Sequence, residues 1–154
     1  MYKPPYNPLF DDPNNPRAAY NKRYRFLYYL SGLGMKVYNK VKYGLETDLY
    51  TRLFAHLVRR DGFDVTLSAP CTLYWDNEPL DEPYHVPMLI NNNVIVDIYT
   101  QPLIAALERS RLEHRMSLTH TSYGVVINFA PDAFYSEWYH RDPDTGNVQM
   151  VKLI

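Results

Sequence analysis

Hydrophobic positions along this chain change period several times, and each change marks an element. Tyr20, Tyr24, Leu27, Tyr28 and Leu30 recur at helical spacing, with Pro16 suited to a first helical position after Asn15. Gly32 and Gly34 are expected to break or kink that helix, and Met35–Tyr43 resumes it through Val37, Tyr38 and Val41. After Gly44, two series fall on one broad helical face: Leu45, Leu49, Leu53, Leu57 and Tyr50, Phe54, Val58. Asp61-Gly62 stops this helix, and Arg59 and Arg60 suit its last turn.

The period then shortens to that of strands. Phe63–Leu67 and Cys71–Trp75 read as strands, and Asp76–Pro79 as a turn. The stretch HVPMLINNNVIVDIY, His85–Tyr99, reads as a hairpin. Its apolar runs, Val86–Ile90 and Val94–Ile98, flank three asparagines that tolerate positive φ. Pro102 opens a helix from Leu103 to about Leu118. Leu103, Ala106, Leu107, Met116 and Leu118 form its expected buried stripe, and Glu108, Arg109, Arg111, Glu113, His114 and Arg115 its solvated face. Tyr123–Phe129 is an apolar strand, residues 130–146 an irregular aromatic insertion, and Asn147–Leu153 a last short strand. A helix linking a central strand to the next implies a parallel pairing, hence an α/β mixed sheet covered by helices.

Composition adds limits. A chain of 154 residues, 46% hydrophobic, is about one domain with a proper core, expected over 17–154. Residues 1–16 hold five prolines and three asparagines and should form an extended arm. Its Tyr2, Tyr6, Leu9 and Phe10 are expected to lie against either the arm's own domain or a neighbouring subunit. Nothing approaches the roughly 18 apolar residues of a membrane helix, and prolines stand where a signal peptide's apolar core would be. The lone Cys71 fits a reducing compartment and reads as a small core residue, so a cytoplasmic location without membrane contact is expected.

Net charge is −1, yet its distribution is uneven. Residues 17–60 carry ten basic side chains (Arg17, Lys22, Arg23, Arg25, Lys36, Lys40, Lys42, Arg52, Arg59, Arg60) against two acids, Glu46 and Asp48. The remainder is correspondingly acidic. Either the two parts complement each other, or the basic part faces an anionic partner. Six of the fifteen tyrosines fall between Tyr20 and Tyr43. They serve either core packing or, with Lys22, Arg23, Arg25, Lys40 and Lys42, a surface on which nucleic-acid bases stack.

Asp97 is the residue with most to say about chemistry. It sits inside an otherwise apolar strand, where a carboxylate must be paired, bound to metal, or placed at the strand's mouth. The sequence holds no Gly-rich phosphate loop, no metal-spaced cysteines and no nucleophile elbow.

Three stretches in order resemble the GxxExxY proteins, small members of the PD-(D/E)XK nuclease-like superfamily. VYNKVKYGLETDLYTRLF is similar to that family's helix signature, with Val37, Gly44, Leu45 and Tyr50 in register. HVPMLINNNVIVDIY resembles its hairpin without gaps, and YGVVINF its following strand at Gly124, Ile127, Asn128 and Phe129. The resemblance covers about residues 36–130. It implies a restriction-endonuclease-like fold with an α-β-β-β-α-β core, here extended by an extra N-terminal helix and the arm.

The resemblance also implies a site: two acids at the hairpin holding Mg²⁺, a lysine steadying the attacking water, and a helix glutamate. In this chain the first acid's position is Pro87, preceded by His85 where the family has arginine. The second is Asp97 and the lysine's is Tyr99. The helix glutamate's is Thr47, with Glu46 and Asp48 to either side, and the next helix's glutamine is Arg111. One suitable group remains of five. The expectation is therefore a nuclease fold without catalysis and without a cofactor, Asp97 and Glu46 being the metal ligands if there are any. It would serve as a binding or assembly subunit. Nucleic acid would meet the basic 17–60 segment, and a protein partner or second copy the arm and the 130–143 insertion. The alternative is a Mg²⁺-dependent DNA or RNA nuclease with an altered site.

Overall fold

The computed structural model describes residues 2–154. Two short helices, α1 (Pro8–Asp11) and α2 (Ala18–Lys22), precede the longer α3 (Arg25–Val41) and α4 (Thr47–Arg60). One sheet contains β1 (Val65–Cys71), β4 (Tyr84–Ile90), β5 (Val94–Tyr99), β6 (Tyr123–Phe129), β7 (Phe134–Arg141) and β8 (Val148–Val151), in that spatial order. Between β1 and β4 in the chain stands a separate ribbon of β2 (Tyr74–Trp75) and β3 (Glu78–Pro79). Helix α5 (Ala106–Thr119) crosses from β5 to β6, which pair in parallel as expected, and every other neighbouring pair is antiparallel. The α-β-β-β-α-β order is thus α4, β1, β4, β5, α5 and β6.

The sheet is apolar on both faces because β5 and β6 are central and their β-branched residues point both ways. Val94, Val96, Ile98, Val125, Ile127 and Phe129 join the larger core under α3 and α4. Ile95 and Val126 meet Leu112 and Met116 of α5 on the other face. No helix among the described residues is long and apolar enough to cross a membrane.

Several elements differ from the sequence reading. Helix α3 runs unbroken through Gly32 and Gly34, held by the buried stripe Leu27, Leu30, Leu33 and Val37. A Cβ at Gly34 would lie 2.8 Å from the Phe134 ring, so this glycine sets a close approach of helix to sheet rather than a break. On α4 the buried side chains are Tyr50, Phe54, Ala55 and Val58, while Leu49, Leu53 and Leu57 are half-buried beside them. On α5 the buried side chains are Glu108, Leu112 and Met116. Leu103 precedes the helix and is exposed, as are Leu107 and Leu118. The reason lies opposite: the sheet presents Asp97 and Glu137, towards which Arg115 and Arg109 turn, while Glu108 accepts from the Ala105 N–H at the start of its own helix.

The arm is not wholly extended, since Asn7 caps the single turn α1 by accepting from the Leu9 N–H. It lies on its own domain, where Tyr2 N–H donates to the Asp61 carbonyl and the Tyr2 and Tyr29 rings are 4.4 Å apart. Nor is the 130–143 stretch irregular: most of it is β7, which alternates strictly. Phe134, Ser136, Trp138 and His140 turn towards α3, and Trp138 Nε1 donates to Ser31 Oγ. Tyr135, Glu137 and Tyr139 turn towards α5.

Candidate functional site

Asp97 is 1% exposed, in the middle of β5. Its Oδ2 accepts from Arg115 Nη1 at 2.5 Å, and Arg115 Nε donates to the Tyr84 hydroxyl at 2.7 Å. One guanidinium on α5 therefore joins the carboxylate of β5 to the first residue of β4. The other oxygen, Oδ1, is buried with no hydrogen-bond partner among the described residues. Burial pushes the Asp97 carboxyl above the usual carboxylate range, and Arg115 offsets only part of that. Burial also works against the Arg115 charge, but Asp97 and Tyr84 outweigh it and raise its pKa.

Around this pair the structure places the other positions unequally. Tyr99 shares the face of Asp97 two residues on; it is half-buried, and burial, then the Asp97 charge, raises its phenol pKa. Thr47 at the start of α4 reaches the end of β5, its hydroxyl 2.7 Å from that of Thr100. Glu46 caps α4 through backbone conformation alone, its side chain in solvent. Asp48 pairs with Arg52.

Pro87 is exposed on β4. Strands β4 and β5 pair only at Leu89–Ile95 and Ile90–Val94 and then separate. Continued, that register would set Pro87 opposite Asp97, where proline has no N–H to give the ladder. Arg111 is exposed and enters no ion pair among the described residues; the α5 residue that reaches the acid is Arg115, one turn later.

Asn128 explains itself locally. Fully buried at the end of β6, it donates to the Gln101 carbonyl and accepts from the Gln101 N–H, fixing the chain as it leaves β5.

A second buried cluster lies on the same face. Glu137 accepts three bonds from Arg109, two of them shared by one N–H, and one each from the Tyr135 and Tyr139 hydroxyls. Burial opposes its charge, but these donors hold its carboxyl below the usual range. Sequence reading placed Arg109 and Arg115 in solvent and so missed both partnerships. The signal was available in Asp97, whose burial demanded a cation. No group of three or more His, Cys, Asp or Glu among the described residues is placed to hold a metal ion.

The basic segment forms a different surface. Lys22, Arg23, Arg25 and Lys40 line one groove between the arm, α3 and α4, and Lys42 lies outside it. Arg25 is committed to the arm through Asp11 and the Pro5 carbonyl. Of the tyrosines of this segment, Tyr24 is buried and Tyr20, Tyr28 and Tyr43 are exposed.

A family model described as the PD-(D/E)XK nuclease superfamily matches residues 25–140. The chain belongs to the PD-(D/E)XK nuclease superfamily. No curated protein matches it. Among solved structures, one titled "Crystal structure of SSO0001" is similar at 12% identity and a TM-score of 0.48, covering 79% of this chain. The chain spans 62% of the length of that protein.

Proposed function

We propose that this GxxExxY-like member of the superfamily binds without hydrolysing, acting as a binding or assembly subunit. The observation that carries this is the Asp97–Arg115 pair: the one carboxylate at the hairpin already faces a guanidinium where a metal would stand. Mg²⁺ is usually held by one or two carboxylates together with substrate phosphates and waters. Here Pro87 offers no ligand, Thr47 a hydroxyl already shared with Thr100, and Asp97 one oxygen closed off from solvent. That donor set does not fit the ion, and Tyr99 cannot replace an ammonium beside the water. Binding would fall to the basic segment, with nucleic acid contact through Lys22, Arg23 and Lys40 as one use of it; of the other two expected cations, Arg25 is held by Asp11 and Lys42 lies outside the groove.

The test is incubation with labelled single- and double-stranded DNA and RNA in millimolar Mg²⁺ or Mn²⁺. No cleavage is expected. Cleavage that disappears in Asp97→Ala would overturn the proposal. It would favour the second reading, a metal-dependent nuclease with an altered site, for which the unpartnered Oδ1 of Asp97 speaks.

A further inference from the structure

We infer that the groove between α3 and α4 is the docking site for the β2–β3 ribbon of a second copy of this chain. The groove encloses about 970 Å³, the upper end of the ~300–1,000 Å³ typical of built binding pockets. Leu33, Val37, Leu53 and Leu57 contribute its aliphatic floor. Lys22, Arg23, Lys36, Lys40 and Arg60 stand around it, all exposed and none in an ion pair among the described residues. Asp61, the acid in the lining, is occupied by the Tyr29 hydroxyl.

The ribbon is the converse surface. Tyr74, Trp75 and Leu80 are 65%, 75% and 50% exposed, an unusual load of apolar area for so small an element. Asp76, Glu78, Asp81 and Glu82 lie among them, exposed and unpaired among the described residues. Asp76 and Asn77 both have positive φ, 48° and 66°, which makes a tight primed turn with the twist of a hairpin. A two-stranded ribbon is marginal alone in water, and this one has no sheet neighbour among the described residues of its own chain.

Charge decides between occupants. Among the described residues the basic 17–60 segment and the acidic remainder neutralise each other at a single ion pair, Arg25 with Asp11. Arg25 pairs with Asp11 and Arg52 with Asp48, while Arg109 and Arg115 serve Glu137 and Asp97. The complementarity is left for contact between copies. A nucleic acid would meet the rim, but its bases need free aromatic platforms. The aromatic residues of the lining are already engaged: Phe26, Tyr29 and Phe63 pack on one another and on Tyr2, and Tyr28, though 41% exposed, packs edge-on against Phe10 and Trp138. Tyr74, Trp75 and Leu80 fill the aliphatic floor, and the four acids meet the five cations. Groove and ribbon are different patches, so the contact is heterologous; it closes as a two-fold pair only if both ribbons dock reciprocally, and otherwise forms rings or chains.

This inference rests on the reading of the α3–α4 face as a binding surface, and is independent of whether Asp97 supports catalysis. Sedimentation of the whole chain from about 1 to about 100 µM should show mass rising from 18.1 kDa to at least its double, and less so at high salt. Trp75→Ala should weaken the association about tenfold or more. Two charge-reversal variants supply the decisive arm: Asp76→Lys with Glu78→Lys on the ribbon, and Lys36→Glu with Lys40→Glu at the groove. Each alone should stay monomeric with unchanged circular dichroism, and their equimolar mixture should associate again, because acid then meets base in both directions. A chain monomeric throughout, or association indifferent to these variants, overturns the inference. A monomer that binds a single-stranded oligonucleotide, lost in the groove variant, overturns it while leaving the binding surface standing; a monomer that binds neither removes both.

Discussion

Replacing Arg115 by methionine removes the cation from a carboxylate that is 1% exposed, while keeping the aliphatic stem that packs under it. Breaking a buried ion pair from one side costs about 3–5 kcal/mol, because the remaining charge is left in a medium that cannot solvate it. With a urea m-value of about 2–3 kcal/mol/M for a chain of this size, the midpoint should fall by roughly 1–2.5 M. The double change Asp97→Leu with Arg115→Met should regain most of that loss, since an apolar pair of similar volume needs no solvation. The pH dependence separates this cause from lost packing. Burial already holds the Asp97 carboxyl above its ordinary 3.8, and without Arg115 nothing offsets it. A folded-state pKa raised above the unfolded one leaves stability intact below the unfolded value and reduces it as pH rises through the folded one. The Arg115→Met deficit should therefore be largest near pH 8 and shrink towards about pH 4. Urea titrations followed by circular dichroism at several pH values read both quantities. A deficit below about 1 kcal/mol, or one equal at every pH, refutes the assignment of a buried charge pair.

Glu137 should act with the opposite sign: its folded pKa lies below the ordinary 4.5, so its contribution is present above that value and lost as pH falls through the folded one. Thermal melts of Glu137→Gln should accordingly lose part of the acid dependence seen below pH 4.5 in the parent. Phe54→Ala should destabilise by about 3–5 kcal/mol in chemical denaturation, and Leu53→Ala by under about 1.5, because Leu53 faces the groove rather than the sheet. The reverse ranking would put α4 in the wrong rotation. Gly124→Ala should cost about 1–3 kcal/mol, since its Cβ would come within 2.6 Å of Met116 Sδ and push α5 off the sheet.

Strand periodicity was the most legible signal in the sequence. The β5 and β6 runs, their parallel pairing across a helix and the turn at Asn91–Asn93 all follow from apolar patterning and local turn chemistry, and all are present. Helix faces were read less well, because periodicity assumes that a helix turns its apolar side inward. That holds for α3, but α5 lies over Asp97 and Glu137 and turns Arg115 and Arg109 towards them, leaving Leu107 exposed. Strand β7 was obscured by its composition: Phe, Trp and His on one face and Tyr on the other hide a strict alternation. Nothing local marks Arg115 as the partner of Asp97, for the two are eighteen residues apart and meet only once α5 folds back over the sheet.

The short pairing of β4 with β5 makes the sheet a hinged structure of two leaves. One leaf is β1 with β4, joined at six residue pairs; the other is β5 to β8. Their shared spine is the turn at Asn91–Asn93 and two pairs beside it. Helix α4 packs on both β1 and β5 and closes the seam from one side. From the other side Arg115 fastens it, one nitrogen on Asp97 and another on Tyr84. Amide exchange in β4 should thus report seam opening well before the β5–β6 amides exchange. The acidic ribbon is mounted on the thinner leaf, so loosening Arg115 would also loosen the element that the second copy is to grasp.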